Sequence, residues 1–120
     1  PGTHGSTFGG NPVSAASANV VLDTVMKPEF LKEVEEKGAY IREKVLGFHS
    51  PAVKNVRGMG LMLGIIVDPE KRAGYVAKIM EQGVLVLTAG TDAIRLLPPL
   101  VITYEEIDQA LEAMKGVFES

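Results

Sequence analysis

The sequence predicts an α+β fold, a small α/β layer in which helices cover one face of a largely antiparallel sheet. Three observations carry this reading. Apolar residues recur with a helical period of about 3.6 over 28–46, around 71–82 and again from 103 onward. Between the helical stretches lie short apolar runs bounded by Gly, Asp and Pro, which read as strands. Those runs come as two pairs, each split by a bend, so the order is two helices, a strand pair, a helix, a strand pair and a helix.

Each element has its local reason. Residues 1–10 hold four glycines among Ser, Thr and His and form a loop. Asn11 then caps a helix and Pro12 takes its first position, where no N–H partner is needed. That helix extends to about Met26, with small side chains (Ser14, Ala15, Ala16, Ser17, Ala18) that allow close approach to a neighbour. A second helix is predicted over 28–46. Leu31, Val34, Gly38, Ile41 and Val45 make its inner face; Lys32, Glu33, Glu36, Lys37 and Glu43 make a solvated one; Gly47 stops it. Strands follow at 53–57 and 61–67, the second buried and interrupted by Gly64, with a bend at Gly58-Met59-Gly60 between them and Met59 and Met62 as core filler. Asp68-Pro69 closes this pair. A third helix over 71–82 turns Val76, Ile79 and Met80 inward and stops at Gly83. Strands at 84–87 and 93–97 flank a turn, and Pro98-Pro99 ends the last strand or places it at an edge. Thr103 and Glu106 have capping-box spacing for a final helix whose buried side is Ile107, Ala110, Leu111, Met114 and Phe118.

The bulk numbers bound the function. At 120 residues the chain supports one small core. A net charge of −3 with scattered Lys and Arg argues against a nucleic-acid partner or an anionic membrane surface. No apolar run reaches the roughly 18 residues of a membrane span. The lack of cysteine excludes a disulfide scaffold and a thiolate metal site, and it fits a reducing, cytoplasmic setting; no metal site is expected. The chain opens at Pro1 inside a glycine-rich loop with no signal-peptide pattern, so the expectation is a part of a longer protein. Residues 1–27 are expected to be a loop and linking helix, and 28–120 a small domain.

Three segments could carry chemistry. The loop Gly2-Thr3-His4-Gly5-Ser6-Thr7-Phe8-Gly9-Gly10-Asn11-Pro12 combines flexible backbone, hydroxyl donors and a nearby helix N-terminus. Such a loop suits a phosphate, and a plain turn explains it equally well. In Ile94-Arg95-Leu96-Leu97-Pro98-Pro99-Leu100, a single cation stands in an apolar strand. Arg95 either reaches solvent or a surface acid, or it grips a carboxylate with its bidentate fork. In Arg57-Gly58-Met59-Gly60-Leu61-Met62-Leu63-Gly64 the glycines serve chain reversal and close packing, and a structural ion pair is expected for Arg57.

All three segments resemble the class-III aminotransferases, the pyridoxal-phosphate-dependent family of acetylornithine, ornithine and 4-aminobutyrate aminotransferases. The likeness runs from Gly2 to about Phe118 and is most distinctive in HGSTFGGNP and RLLPPL. It implies the small C-terminal domain of a fold-type-I transferase. It implies that Thr7 donates to the phosphate of pyridoxal 5'-phosphate held in the other subunit of a homodimer, that Ser6 lies at the substrate, and that Arg95 holds the substrate α-carboxylate. His4 fits the loop but is given no acid–base role. In the family, the cofactor-bearing lysine, the acid at the pyridine nitrogen and the main phosphate loop lie upstream, so this chain is expected to hold no catalytic residue and to be inactive alone. The acetylornithine type, similar also in GVLVLTAGTDAIRLLPPL, is the branch most resembled. That branch implies transfer of the δ-amino group of N-acetylornithine to 2-oxoglutarate in arginine biosynthesis. Ornithine, succinylornithine and 4-aminobutyrate remain alternative substrates, and a non-enzymatic binding module reusing the fold is the alternative of another class.

Overall fold

The computed structural model describes residues 2 and 4–119. The chain divides into two compact units, Pro1–Glu33 and Val34–Ser120.

The first unit holds the loop and helix α1 (Pro12–Val25). A turn closes the loop, with Gly9 N donating to Ser6 O and Asn11 N to Phe8 O. Asn11 caps α1 as expected: its side-chain oxygen accepts from Val13 N at 3.0 Å and Ser14 N at 3.1 Å. The helix buries none of its side chains, and Val13, Val20, Val21 and Leu22 are exposed.

Helix α2 (Pro28–Leu46) has the predicted span. Gly38, Ile41 and Val45 are buried, but two residues depart from the expected pattern. Leu31 is exposed rather than inward. Lys37, expected in solvent, is only 4% exposed. Its ammonium lies 5.9 Å from the ring centroid of Tyr104, so the aliphatic stem is buried while the charge meets an aromatic face.

The second unit contains a four-stranded sheet of order β1-β2-β4-β3, in which every neighbouring pair is antiparallel. The strands are β1 (Asn55–Met59), β2 (Met62–Ile66), β3 (Leu87–Ala89) and β4 (Ala93–Leu96), and helices α3 (Pro69–Glu81) and α4 (Tyr104–Phe118) accompany them. The architecture is therefore the α+β layer that the sequence predicts.

Strand boundaries differ from expectation for local reasons. Gly58 does not bend the chain; it continues the ladder opposite Leu63, at φ 131° and in a position where a side chain would strike the Met62 carbonyl. The turn falls at Gly60-Leu61 instead. Nor does Gly64 interrupt β2, whose register with both neighbours is continuous. In β3 the ladder forms over Leu87–Ala89, later than the predicted 84–87. The Pro98-Pro99 pair ends β4, which is a central strand and not an edge.

Alternation along the strands sorts the sheet into two faces. Val56, Leu63, Ile65, Ile94 and Leu96 point into the core, where they join Ile41 and Val45 of α2, Ile79 of α3, and Ile107, Leu111, Met114 and Phe118 of α4. Val117, not anticipated, is buried too, whereas Met80 is half-exposed. Met59 and Met62 are not core filler: they pair with each other on the other face and are 79% and 59% exposed. Thr103 and Glu106 form the reciprocal capping box at the start of α4. Asp68 caps α3 through Glu70 N, two residues earlier than the predicted start.

Candidate functional site

The loop side chains with functional potential are all in solvent. His4, Ser6 and Thr7 are exposed. The hydroxyls of Ser17 and Thr24, farther along the first unit, are spent on the carbonyls four residues back, Val13 O at 3.0 Å and Val20 O at 3.1 Å. Among the described residues, the hydroxyls of Ser6 and Thr7 have no such engagement. The α1 N-terminus is a different matter, because Asn11 already occupies the Val13 and Ser14 amides. The loop thus offers hydroxyl donors to a phosphate rather than an open helix end. One or two hydrogen bonds to an anion held mainly by other residues fit it; a complete cradle does not.

In the second unit, Arg95 is the exposed residue of β4, flanked by the buried Ile94 and Leu96. Its position answers how a cation is accommodated in an apolar strand and leaves both readings of its role open. The side chain belongs to the sheet face opposite the core, so its charge is not buried. Cross-strand pairing puts Arg57, Gly64, Arg95 and Leu87 in one row across that face, from β1 to β3. With adjacent strands about 4.8 Å apart, the Cα atoms of Arg57 and Arg95 are about 10 Å apart across the glycine.

The two arginines of this row differ in their electrostatics. Arg57 forms the expected ion pair: Nη2 is 3.0 Å from Asp92 Oδ1. Among the described residues, Arg95 meets no carboxylate. Its guanidinium therefore keeps its full hydrogen-bonding capacity toward a ligand, and a planar fork is the geometry that a carboxylate matches with two parallel bonds.

A third arginine was not legible in the sequence. Arg72 of α3 donates from Nη1 to the Gly90 carbonyl at 2.5 Å and, more weakly, to the Ala89 carbonyl at 3.4 Å. With Arg57 on Asp92 and the Val67 amide on the Asp92 carbonyl, it pins the β3–β4 turn from three sides. Nothing in the spacing of Arg72 signals this, since it depends on how α3 packs over the hairpin. Arg42 plays a comparable part at the other edge, donating to the carbonyls of Val56 and, at 3.0 Å, Gly58.

Cavities add little. One of about 330 Å³ between α4 and the strand ends is lined only by apolar residues, among them Val86, Leu97, Pro99 and Met114, and offers nothing to orient a polar substrate. Among the described residues no cluster of three His, Asp or Glu side chains is placed to hold a metal. Among the described residues, no helix is long and apolar enough to cross a membrane.

Comparison with known proteins adds to this geometry. The family profile described as aminotransferase class-III matches residues 1–118. The acetylornithine aminotransferase of Bacillus cereus is 48% identical over 118 residues, covering 97% of this chain and 30% of that protein. That of Myxococcus xanthus is 47% identical over 112 residues, covering 90% and 28%. Among solved structures, the acetylornithine aminotransferase of Elizabethkingia anophelis superposes with a TM-score of 0.85 at 31% identity, covering 99% of this chain and 33% of that one. An ornithine aminotransferase from Toxoplasma gondii, described with partial occupancy of PLP at its active site, gives 0.83 at 35% identity, covering 98% and 29%. The chain thus spans about 30% of the length of the relatives it matches.

Proposed function

Because this chain belongs to the class-III aminotransferase family, we propose that it contributes the substrate-carboxylate arm and a phosphate donor to a pyridoxal-phosphate-dependent acetylornithine aminotransferase. The single observation that carries the site is the exposed guanidinium of Arg95, unpaired among the described residues on an uncovered sheet face.

Pyridoxal phosphate is the cofactor of the family. When bound, it supplies an electron sink at the carbon that bears the amino group. The residues here fit a supporting part in its retention. Thr7 offers its hydroxyl to the phosphate from across the interface of a homodimer, and Ser6 lies at the substrate edge. Arg95 binds a substrate α-carboxylate, fixing where the rest of that substrate points. In this reading residues 1–27 are the cofactor loop and linking helix, and 28–120 the small domain. None of these residues moves the reacting proton, so the 120-residue chain alone is expected to have no aminotransferase activity.

The naming of the relatives with 47–48% identity supports N-acetylornithine as the amino donor; 2-oxoglutarate as acceptor, a place in arginine biosynthesis and a cytoplasmic setting complete the proposal. The ornithine aminotransferase match keeps ornithine as the second reading. The test is a substrate series in the full-length enzyme that carries this segment. With 2-oxoglutarate fixed, kcat/KM for N-acetylornithine should exceed those for ornithine, succinylornithine and 4-aminobutyrate. A preference for any of the others overturns the substrate assignment, and absence of amino transfer with all four overturns the enzymatic one.

A further inference from the structure

The two edges of the sheet are finished differently. Val67 N donates to the Asp92 carbonyl at 2.9 Å, and in an antiparallel ladder the hydrogen-bonded pairs recur at every second residue. Ile65–Ile94 and Leu63–Leu96 are therefore the bonded pairs of β2 and β4. Gly64 and Ile66 then turn their backbone groups to β1, where they meet Arg57 and Asn55, so Val56 and Gly58 face outward. On the other side Ala93 and Arg95 turn to β3, where they meet Ala89 and Leu87. Thr88 faces outward, and so does Val86 in the run before it.

The β1 edge is closed by side chains. Arg42 donates to the Val56 and Gly58 carbonyls, and the Val56 N–H donates to Asn55 Oδ1 at 2.8 Å. The β3 edge is open: among the described residues no partner meets the N–H or C=O of Val86 or Thr88. Its sequence does not guard it either. Soluble proteins commonly blunt a free edge with charge or proline, and Gly83-Val84-Leu85-Val86-Leu87-Thr88-Ala89 contains neither. Leu85 and Leu87 stand beside this edge 85% and 64% exposed.

We propose that in the full-length protein the β3 edge is completed by an extended segment of the same polypeptide, drawn from outside these 120 residues. Main-chain bonds to Val86 and Thr88 hold the added strand, and apolar side chains at its alternate positions cover Leu85 and Leu87. The chain spans about 30% of the length of its relatives, so ample polypeptide exists to supply such a segment. A second copy fits less well. Its β1 edge is closed in the same way, so it could bring only β3, a strand of three residues. The proposal does not depend on the roles given to Thr7 and Arg95.

Hydrogen exchange in the full-length enzyme, resolved to single amides, reads the state of the edge. The Thr88 amide should exchange at least about 100-fold more slowly than an unstructured one, in the range of the Leu87 and Ala89 amides that face β4. Exchange at the unstructured rate overturns the proposal. A photo-cross-linking benzoylphenylalanine in place of Thr88 then identifies what protects the amide. The expected product has the mass of one chain, and its linked peptide lies outside these 120 residues. A product with the mass of two chains assigns the edge to a second copy. A linked peptide from within the 120 residues assigns it to this unit itself, and no linkage at all leaves it in solvent. Each of these three outcomes overturns the proposal.

Discussion

Gly38 of α2 and Gly60 of the β1–β2 turn meet backbone to backbone: a Cβ on Gly38 would collide with the Gly60 carbonyl. This approach seats α2 on the hairpin and brings Arg42, one turn further on, to the carbonyls of Val56 and Gly58. A helix interior ordinarily gains from Gly→Ala by up to about 1 kcal/mol. Here the clash wins, and Gly38→Ala should destabilise the chain by about 1–3 kcal/mol, the range for forced overpacking. Gly74 of α3 is the control, because nothing lies within 4 Å of its Cβ position. Gly74→Ala should stabilise by about 0.5–1 kcal/mol. Urea midpoints that move in the same direction for both variants would sink the close-packing account.

The capping box at α4 makes stability depend on acid. The Thr103 backbone N–H and its hydroxyl both donate to the Glu106 carboxylate, at 2.8 and 3.0 Å, and these bonds, the backbone one first, lower the Glu106 pKa from its ordinary 4.5. A carboxylate with a depressed folded-state pKa contributes stability that is fully present above its unfolded value and is lost as pH falls through the folded one. Thr103→Ala, which removes the hydroxyl of the box, should lower stability near neutrality. Part of the fall in Tm below about pH 4.5 should disappear in the same variant. An unaltered acid limb in thermal melts at pH 3–7 would remove the box from the pH dependence.

The helices were legible because their signals are local. Asn11 and Thr103 cap where their side-chain chemistry says they should, and the 28–46 helix is read to the residue; Asp68, read as the end of a strand pair, caps α3 instead. The strand pairs were legible as pairs, but their ends were not. Gly58 looks like a bend in sequence and is a ladder residue, because positive φ and close approach are both compatible with a strand that faces a neighbouring carbonyl. The faces were harder still. Met59 and Met62 are apolar yet lie on the uncovered side, and Lys37 is charged yet buried, since the ring of Tyr104 reaches it from 67 positions away in sequence. The row formed by Arg57, Gly64 and Arg95 depends on register between three strands, which no single-segment pattern encodes. The Arg95 motif could be singled out in sequence, but its solvent-facing, unpaired state required the sheet.

In the full-length enzyme, Thr7→Ala should weaken cofactor retention and leave the fold intact, because the Thr7 side chain is exposed and supports no packing. Loss of one hydrogen bond to a charged phosphate costs roughly 1.5–3 kcal/mol, or about 10- to 150-fold in affinity. Dialysis against a phosphate buffer followed by titration with pyridoxal phosphate reads this directly. Its origin in the opposite subunit is tested with heterodimers that pair a Thr7→Ala chain with one lacking the cofactor-bearing lysine. If Thr7 acts across the interface, this pair keeps one intact site, built from the lysine of the Thr7→Ala chain and the Thr7 of its partner, whereas placing both changes in one chain leaves the remaining lysine facing the altered residue and weakens cofactor binding. The reverse pattern would place the donor within its own subunit, and indifference to which chain carries the change would remove Thr7 from the cofactor site.

Arg95 carries the last prediction. Arg95→Lys keeps the charge and loses the fork, so it should weaken the half-reaction whose substrate sets its α-carboxylate on this group; that carboxylate is four bonds from the reacting carbon in a δ-amino donor and one bond in the 2-oxo acid, so the two half-reactions should not suffer equally. Arg95→Ala should lose on the order of 2–5 kcal/mol in transition-state binding, the range for truncating one partner of a desolvated charge pair. An amine without the carboxylate never uses the fork and should be turned over nearly as before. Two other roles give different patterns. A solvent-facing arginine without a ligand predicts wild-type kcat/KM with every substrate. An arginine that braces the sheet predicts a lowered Tm with equal losses for amine and amino acid, and the exposed, unpaired state of Arg95 among the described residues argues against it. The ratio of kcat/KM for N-acetylornithine to that for the amine, read beside kcat/KM for 2-oxoglutarate, therefore decides among the three, and an Arg95→Ala enzyme in which neither changes removes this residue from the carboxylate site.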